Sequence, residues 1–328
     1  MLWIKIKYRL TILYKALFFK LGLGKLLLKN RYGEHILVFH GIDQKEETKY
    51  NSRFISEKYF ENLIRYFTEN YNVISLDDFY QKKFKKETLN IALTFDDGYL
   101  NNYKYAIPIL KKYNIPACFY ITPIHEKSDN LWPDFLDLVS FYSQKNKIFF
   151  EGENYMKNSR NEYTSNNVSL KNKCKTLPYD KIFPLYQIFE KEWNEIQLKP
   201  LVDYWSLMTS DQIKEIAYDP LFTIGSHGLT HSNLQQIDLN EAKLEIAKSK
   251  TVLENVCKQS IDEFAFPFGT YTNELVNYCK EIGFSKILLV DYNTQDDSKD
   301  ITTRNRFVMN PYISMKQQIS CLLKGSYF

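Results

Sequence analysis

The sequence predicts an α/β protein organised around a parallel sheet or barrel. From residue 35 onward, short apolar runs alternate with longer segments in which apolar residues recur every three or four positions. Strands that alternate with helices are typical of parallel sheets, because each helix returns the chain to the same edge. With 328 residues, 44% of them hydrophobic, the chain is long enough for one large domain or two small ones.

Seven short apolar runs are predicted as strands. They lie at residues 36–39, 73–75, 91–95, 117–121, 222–225, 264–266 and 287–290. The segments predicted as helices are residues 56–70, 99–113, 238–256 and 272–282. Pro108 should kink the second helix, Asp238 with Glu241 should cap the third, and Gly283 should end the fourth.

The alternation stops over residues 125–204, where Lys, Asn, Ser and Glu are frequent. Two aromatic helical pieces are predicted inside this stretch, at residues 132–142 and 182–193. We therefore expect a helical insertion on one face of a single domain that spans residues 35–328.

Residues 1–34 are predicted to be a basic amphipathic N-terminal segment. The first 33 positions contain eight lysines and arginines and no acidic residue. Lysines interrupt every apolar run and no small-residue cleavage site follows, so we do not expect a secretory signal peptide. The pattern favours a peripheral membrane contact through residues 1–31, and a helix that packs on the domain with its lysines exposed is the alternative.

Cysteine content and charge exclude several classes of protein. The five cysteines are widely spaced and include no Cys-x-x-Cys pair, which argues against a disulfide framework and a thiolate zinc site. We therefore expect a cytoplasmic protein, located on the inner membrane face if residues 1–31 bind there. A formal charge of +4 is weak evidence for nucleic acid, so no such partner is expected. No apolar run reaches 18 residues, which excludes a multi-span membrane protein.

Two adjacent carboxylates, Asp96 and Asp97, follow the predicted strand at residues 91–95. In parallel α/β folds the carboxyl ends of the strands line the active site, and alternation points neighbouring side chains in different directions. The two aspartates can therefore hold two different roles. A simple Asp-Gly turn completed by Gly98 is the alternative.

His227 and His231 lie four residues apart, directly after the predicted strand at residues 222–225. They are two of only five histidines in the chain, which favours a pair of metal ligands over two isolated surface histidines. Two histidines and one carboxylate leave a fourth position open for water, which is the arrangement of catalytic zinc sites.

A third pattern breaks the apolar strand at residues 264–266 with Pro267 and Gly269. Ordinary strand termination explains it when it is taken alone. Beside the other two patterns, the turn can present the backbone N–H of Phe268 to a developing oxyanion.

In this order, three runs resemble the motifs of the polysaccharide deacetylases (carbohydrate esterase family four, the NodB-homology domain). They are Thr-Phe-Asp-Asp-Gly at 94–98, the Ser-His…His loop at 226–231 and Phe-Pro-Phe-Gly at 266–269. The resemblance covers roughly residues 35–123 and 205–291. It implies a distorted (β/α) barrel of about seven strands that removes N-acetyl groups from amino sugars with a divalent metal, for which we expect Zn²⁺.

The resemblance also implies roles for individual residues. By the family pattern Asp96 is the general base, and Asp97, His227 and His231 bind the metal. A metal bound there would polarise the acetamide carbonyl and the attacking water. The N–H of Phe268 in the Pro267 turn would hold the oxyanion.

Two positions depart from the family pattern. Typical members carry a histidine general acid near the C-terminus, but no histidine follows His231. His40 ends the first predicted strand, which neighbours the last strand in a closed barrel. We therefore interpret the chain as a circularly permuted member, similar to the poly-N-acetylglucosamine deacetylase subgroup, with His40 as the acid. A strand-end histidine that caps a loop is the alternative.

The arginine usual in the third motif is replaced by Ala265, and Arg304 or Arg306 could supply its charge.

The expected function is hydrolysis of the N-acetyl group of an amino sugar in a surface polysaccharide or its lipid-linked precursor. Asp96 would take a proton from the attacking water and His40 would protonate the departing amine. A catalytically silent glycan-binding module is one alternative. A hydrolase of a non-sugar amide or ester is the other.

Overall fold

The computed structural model describes residues 32–45, 50–125 and 127–327, together with residues 10, 11, 13, 14 and 17. Most of the basic segment predicted at residues 1–34 lies outside the described residues, so its membrane contact stays a prediction. In the part of the chain that is described, no helix is long and apolar enough to cross a membrane.

The main sheet is parallel and closes into a barrel. The strands of the described residues, in chain order, are β1 (Gly33–Phe39), β2 (Ile42–Asp43), β3 (Ile55–Ser56), β4 (Asn72–Val73), β5 (Leu89–Phe95), β6 (Ala117–Ile121), β7 (Lys147–Phe150), β8 (Glu153–Lys157), β9 (Tyr163–Ser165), β10 (Val168–Ser169), β11 (Phe222–Ser226), β12 (Glu263–Ala265), β13 (Lys286–Leu289) and β14 (Thr303–Val308). The ring runs β1-β5-β6-β11-β12-β13-β14, and β14 returns to β1. This confirms the predicted barrel of about seven strands.

One member of the ring differs from the prediction. The run predicted at residues 73–75 forms only the two-residue strand β4, which pairs with the start of β5 and lies outside the ring. The place in the ring is taken by β14, which the apolar pattern did not reveal. The reason is its composition, because Arg304 and Arg306 stand where other strands carry apolar side chains.

Helices cover the outside of the barrel and build much of the insertion. They are α1 (Glu57–Asn70), α2 (Leu76–Tyr80), α3 (Ile107–Tyr113), α4 (Trp132–Tyr142), α5 (Leu170–Cys174), α6 (Tyr179–Ile182), α7 (Pro184–Ile188), α8 (Glu190–Gln197), α9 (Ser210–Ala217), α10 (Leu239–Cys257), α11 (Asn273–Glu281) and α12 (Met315–Lys324). Asp238 caps α10 as predicted, through the backbone N–H groups of Asn240 and Glu241. Pro108 lies in the first turn of α3, which follows directly on a π-helical turn at Asn102–Ala106, so the predicted helix is irregular just before the proline.

Two apolar clusters hold the barrel together. The larger one packs the surrounding helices, for example α1 through Phe60 and Phe67, against the outer faces of the strands. The smaller one fills the barrel with side chains such as Tyr120. Phe79 of α2 joins this inner cluster, and the Tyr80 hydroxyl donates to the Thr302 carbonyl just before β14. Helix α2 therefore closes the amino-terminal end of the barrel, and the opposite end holds the candidate site.

The segment between β6 and β11 has an apolar cluster of its own, centred on aromatic residues such as Phe135 and Trp193. Helix α4 matches the predicted piece at residues 132–142, whereas residues 182–193 divide among three short helices. The segment is not wholly helical, because β7 to β10 form a four-stranded antiparallel sheet. These strands have two to five residues each, too short for alternation to mark them in a polar stretch.

Candidate active site

The two adjacent aspartates lie in a sharp turn at the carboxyl end of β5. Asp97 and Gly98 both have positive φ, at 78° and 84°. A Cβ on Gly98 would approach the Ile121 side chain to 3.2 Å, so glycine meets both the backbone and the space requirement. The backbone N–H of Asp96 donates to the Phe39 carbonyl at 3.0 Å, which ties this turn to the end of β1.

Asp96 is held by Arg306 in a two-pronged ion pair inside the barrel. The guanidinium nitrogens lie 2.6 and 2.8 Å from the two carboxylate oxygens, and both side chains are buried. Although burial disfavours the charged carboxylate, Arg306 holds the pKa of Asp96 below its usual range. The same guanidinium reaches the Thr94 hydroxyl at 3.3 Å, so its orientation is fixed on both sides. Asp96 is therefore an oriented, ionised carboxylate.

Asp97 turns the other way and meets the two histidines. His231 Nε2 lies 3.0 Å from Asp97 Oδ1, and His227 Nε2 lies 3.5 Å from the same oxygen. One potential ligand atom from each of the three residues falls within 4.8 Å of the others, and all three residues are buried. The structure thus brings together the three residues that the sequence predicts as metal ligands.

The donor chemistry of this cluster fits a cation. His227 Nδ1 lies 2.8 Å from the Ala265 carbonyl, which can only accept, so this nitrogen carries the proton and Nε2 presents a lone pair. Within the described residues, neither oxygen of Asp97 has a hydrogen-bond donor in good geometry. Burial lowers the pKa of His231, which favours its neutral, metal-binding form. Buried acceptors whose lone pairs face one another repel, and a metal ion that binds these lone pairs removes the repulsion.

The loop that carries the histidines is anchored by Glu245 on α10. Its carboxylate accepts from the backbone N–H of Leu229 and Thr230, at 3.1 and 2.8 Å, and from the Thr230 hydroxyl at 2.7 Å. The loop also holds His231 at a positive φ of 56°, a strained conformation for a residue other than glycine. Glu245 therefore fixes the backbone that aims one metal ligand. The sequence pattern did not reveal Glu245, because this residue lies on the helix after the loop, 15 residues beyond Thr230 and outside the contiguous motif.

Arg53 forms a second charged contact, which the sequence pattern did not predict. Its guanidinium lies 3.4 Å from Asp97 Oδ2 and 2.9 Å from Asp134 Oδ1 on α4. Tyr99 donates its hydroxyl proton to the other oxygen of Asp134 at 2.6 Å. Despite burial, Arg53 and His231 hold the pKa of Asp97 well below its usual range. Nothing in the polar loop around Arg53 singles it out in the sequence.

His40 lies at the carboxyl end of β1, between the strands that carry Asp96 and Arg306. Burial and the positive charge of Arg53 lower the pKa of His40 to about 4. The next residue, Gly41, has no room for a side chain, because a Cβ there would lie 2.4 Å from the Phe54 ring. The Phe54 ring therefore packs directly against the backbone next to His40, at the end of β1.

Of the remaining predicted site residues, Phe268 and Pro267 lie close to the histidine loop, whereas Arg304 lies away from the site. Phe268 lies at the site, with its ring 4.7 Å from the His231 ring, and its positive φ of 60° marks the predicted turn. Pro267 lies below the histidine loop, 3.3 Å from the position of a Cβ on Gly228. Arg304 does not reach Asp96. It stacks over Tyr80 near the closed end of the barrel, so of the two candidate arginines only Arg306 meets the aspartate.

Solved structures of other proteins share this fold at low sequence identity. A Streptococcus pyogenes deacetylase, PplD, in complex with acetate is similar with a TM-score of 0.55 and 17% identity, over 88% of this chain and 96% of that one. IcaB from Ammonifex degensii is similar with a TM-score of 0.53 and 15% identity, over 90% and 99%. A polysaccharide deacetylase from Bacillus cereus is similar with a TM-score of 0.53 and 17% identity, over 88% and 68%. No curated protein matches the chain significantly in sequence.

A family model described as polysaccharide deacetylase matches residues 83–287. This range contains the aspartate turn, the histidine loop and the turn at Phe268, and it is more than half of the chain. Members of this family are hydrolases that act on carbon–nitrogen bonds. The matched motifs and the closed seven-strand barrel agree with the resemblance seen in the sequence, and the chain belongs to the polysaccharide deacetylase family.

Proposed function

We propose that the protein is a metal-dependent deacetylase that hydrolyses the N-acetyl group of an amino sugar in a surface polysaccharide or its lipid-linked precursor. The observation that carries this proposal is that the two neighbouring carboxylates have different partners. Asp96 is clamped by Arg306, whereas Asp97 faces His227 and His231. A silent binding module would have no need for a separate buried base beside a metal-binding cluster.

The chain's own residues can be assigned to the steps of amide hydrolysis. A divalent metal held by Asp97, His227 and His231, for which we favour Zn²⁺, would polarise the acetamide carbonyl and the attacking water. Asp96 accepts the proton of that water while Arg306 keeps its carboxylate ionised and oriented.

The other two roles fall to residues at the rim. The backbone N–H of Phe268, in the turn beside His231, donates to the developing oxyanion. His40 protonates the departing amine, which leaves poorly as an anion. With a pKa of about 4 the free His40 ring is neutral near pH 7, so the proposal requires the ring to receive a proton in the substrate complex before it gives one to the amine.

We also propose that the chain is a circularly permuted member, similar to the poly-N-acetylglucosamine deacetylase subgroup. Strand β1, from the amino-terminal part of the chain, lies between β14 and β5 and carries His40 at its carboxyl end. The family model begins only at residue 83, after this strand. A strand moved from one terminus to the other would occupy the same place in the ring.

For location, we propose a cytoplasmic protein held at the inner membrane face through residues 1–31. Eight basic residues without an acid support this, because each cation near an anionic surface contributes about 1 kcal/mol. Full-length protein should float with anionic liposomes at low salt and detach at high salt. A variant that lacks residues 1–31 should stay soluble and keep its activity on small substrates. Full-length protein that does not bind these liposomes would refute the membrane contact.

The function is tested by mass spectrometry of N-acetylhexosamine glycans and lipid-linked sugars after incubation with the metal-loaded protein. We expect the loss of one acetyl mass from the product and the release of acetate. Asp96→Asn should keep its metal and lose about 100- to 10,000-fold in turnover, while Asp180→Asn, an exposed control, should match the wild type. Activity only on non-sugar amides or esters, or binding without hydrolysis, would contradict the proposal.

A further inference from the structure

A lysine from the segment between β6 and β11 reaches the rim of the metal cluster. Lys175 directly follows α5, and its ammonium lies 5.1 Å from the centre of the Phe268 ring. The same aromatic ring lies 4.7 Å from the ring of His231. The charge of Lys175 is therefore one aromatic ring away from a candidate metal ligand.

Packing fixes the aromatic ring that lies between the lysine and the histidine. The Trp132 ring lies 6.0 Å from the Phe268 ring, and Trp132 Nε1 donates to the His231 carbonyl at 3.1 Å. Trp132 is buried, whereas Phe268 and Lys175 are both partly exposed. A ligand that enters from the solvent can therefore contact the lysine and the turn at Phe268 together.

Lys175 differs from the neighbouring cations in its partners. Lys171 lies 2.5 Å from an oxygen of Asp137, and Arg53 lies 2.9 Å from an oxygen of Asp134. Among the residues that the structure describes, no acid or hydrogen-bond acceptor contacts the Lys175 side chain, which lies only against an aromatic face. The nearby acids are thus already paired with other cations, and Lys175 has none of its own.

The surroundings of Lys175 disfavour a charge without a partner. Burial lowers the pKa of Lys175, and the positive charges of Lys171 and Arg53 act in the same direction, against the opposite effect of Asp137. An anion beside the ammonium would offset these effects. The ammonium has three donors, and its hydrogen bonds to a carboxylate or phosphate oxygen are stronger than those between neutral groups.

We infer that Lys175 binds an anionic group, a phosphate or a carboxylate, on the amino sugar whose N-acetyl group lies at the metal cluster. This inference rests on the proposed function and narrows its substrate to the class of acidic amino sugars. A phosphate is the group that a lipid-linked precursor carries, whereas a carboxylate belongs to an acidic polysaccharide. Lys175 is then a specificity-determining residue, since it distinguishes an acidic amino sugar from a neutral one.

The kinetic test compares kcat/KM of the metal-loaded protein on three sugars that share the same acetamide. They are methyl N-acetylglucosaminide, which is neutral, N-acetylglucosamine 1-phosphate and N-acetylglucosaminuronic acid. The wild type should prefer one of the two anionic sugars over the neutral one by about 10-fold, the effect of one hydrogen bond between charged groups. The preferred sugar identifies the anion as phosphate or carboxylate. A wild type that deacetylates the neutral sugar as efficiently as both anionic ones would overturn the inference.

Substitutions at two lysines of the same segment identify the residue responsible. Lys175→Gln keeps a side chain of similar length and removes its charge, so the ratio of kcat/KM for the preferred anionic sugar to that for the neutral sugar should fall about 10-fold, through KM. Lys175→Arg keeps the charge and should keep the preference. Lys173→Gln removes a charge from the last turn of α5, two residues earlier, and should behave as the wild type. A wild-type ratio in Lys175→Gln would refute the role of this lysine.

A binding measurement separates this inference from the proposed function. Calorimetric titration of each anionic sugar into metal-loaded Asp96→Asn needs no turnover, and adding Lys175→Gln should weaken the binding of one of them about 10-fold. If this weakening is seen but the wild type deacetylates none of the sugars, the anion site stands and the proposed reaction fails. If the two proteins bind both anionic sugars with equal affinity, the anion site is refuted, whatever the activity.

Discussion

Replacing Arg306 by alanine should lower the free energy of unfolding by about 3 to 5 kcal/mol, which is typical when one partner of a buried ion pair is removed. The Arg306 and Asp96 side chains are only 1% and 5% exposed, so water cannot replace the lost guanidinium. Two short hydrogen bonds, at 2.6 and 2.8 Å, disappear with it. The loss comes from the carboxylate that remains buried without a partner.

The assay is urea denaturation of the metal-free protein, with the dependence on denaturant checked for two-state behaviour. Arg304→Ala is the matched control, two residues earlier on β14. Arg304 is only partly buried and its guanidinium donates to the backbone carbonyls of Asp300 and Thr303, so the change should cost about 1 kcal/mol or less. Arg306→Lys keeps the charge but loses the fork, and its stability should lie between those of the wild type and Arg306→Ala.

A double-mutant cycle isolates the pair from other effects of the substitution. In an Asp96→Asn background no charge remains to be stranded, so Arg306→Ala should cost less there, by about 0.5 to 3 kcal/mol. Additive losses would refute the reasoning, since they would mean that the two side chains do not depend on one another. Turnover of Arg306→Ala should fall about 100- to 10,000-fold, because the base is no longer held.

Three further predictions concern the metal cluster and its supports. His231→Ala should abolish bound metal in elemental analysis whereas His125→Ala, outside the cluster, should retain it; a full metal content in the first variant would refute the ligand set. Glu245→Ala should weaken metal affinity about 10- to 100-fold in a chelator competition, because the histidine loop loses three hydrogen bonds, and unchanged affinity would remove its positioning role. Burial raises the pKa of Asp134 to about 6, above the roughly 3.9 of an unfolded chain. Protonation of Asp134 should therefore add up to about 3 kcal/mol to the free energy of unfolding as the pH falls from 7 to 4. Asp134→Asn should lack this contribution, and identical pH profiles of stability in the two proteins would contradict the prediction.

The sequence was informative where local pattern and structure coincide. Apolar runs predicted six of the seven barrel strands, because barrel strands are buried on both faces. The seventh strand, β14, was not predicted because its inward positions hold the charged residues Arg304 and Arg306 instead of apolar ones. The short β-sheet strands between β6 and β11 escaped for lack of length.

The same contrast holds at the site. The aspartate turn and the histidine loop are contiguous motifs, so spacing was enough to group Asp97 with the two histidines. Arg53 acts on this group from a distant part of the chain and Glu245 from the helix that follows the histidine loop, and tertiary structure brings both side chains to the group. The choice between Arg304 and Arg306 also required the structure. Both side chains point to the same side of β14, and they differ only in their distance from the open end of the barrel.

The ring closure between β1 and β14 has a consequence for folding. The motif residues of the metal cluster lie inside residues 83–287, but His40 and Arg306 are supplied by the first and last strands of the ring. Pairing strands from opposite ends of a chain carries a large loop-closure cost and is slow. During synthesis the cluster can therefore form before the base has its arginine. We expect metal binding to be acquired early in refolding and catalytic competence to appear only in the slowest phase, when the two ends meet.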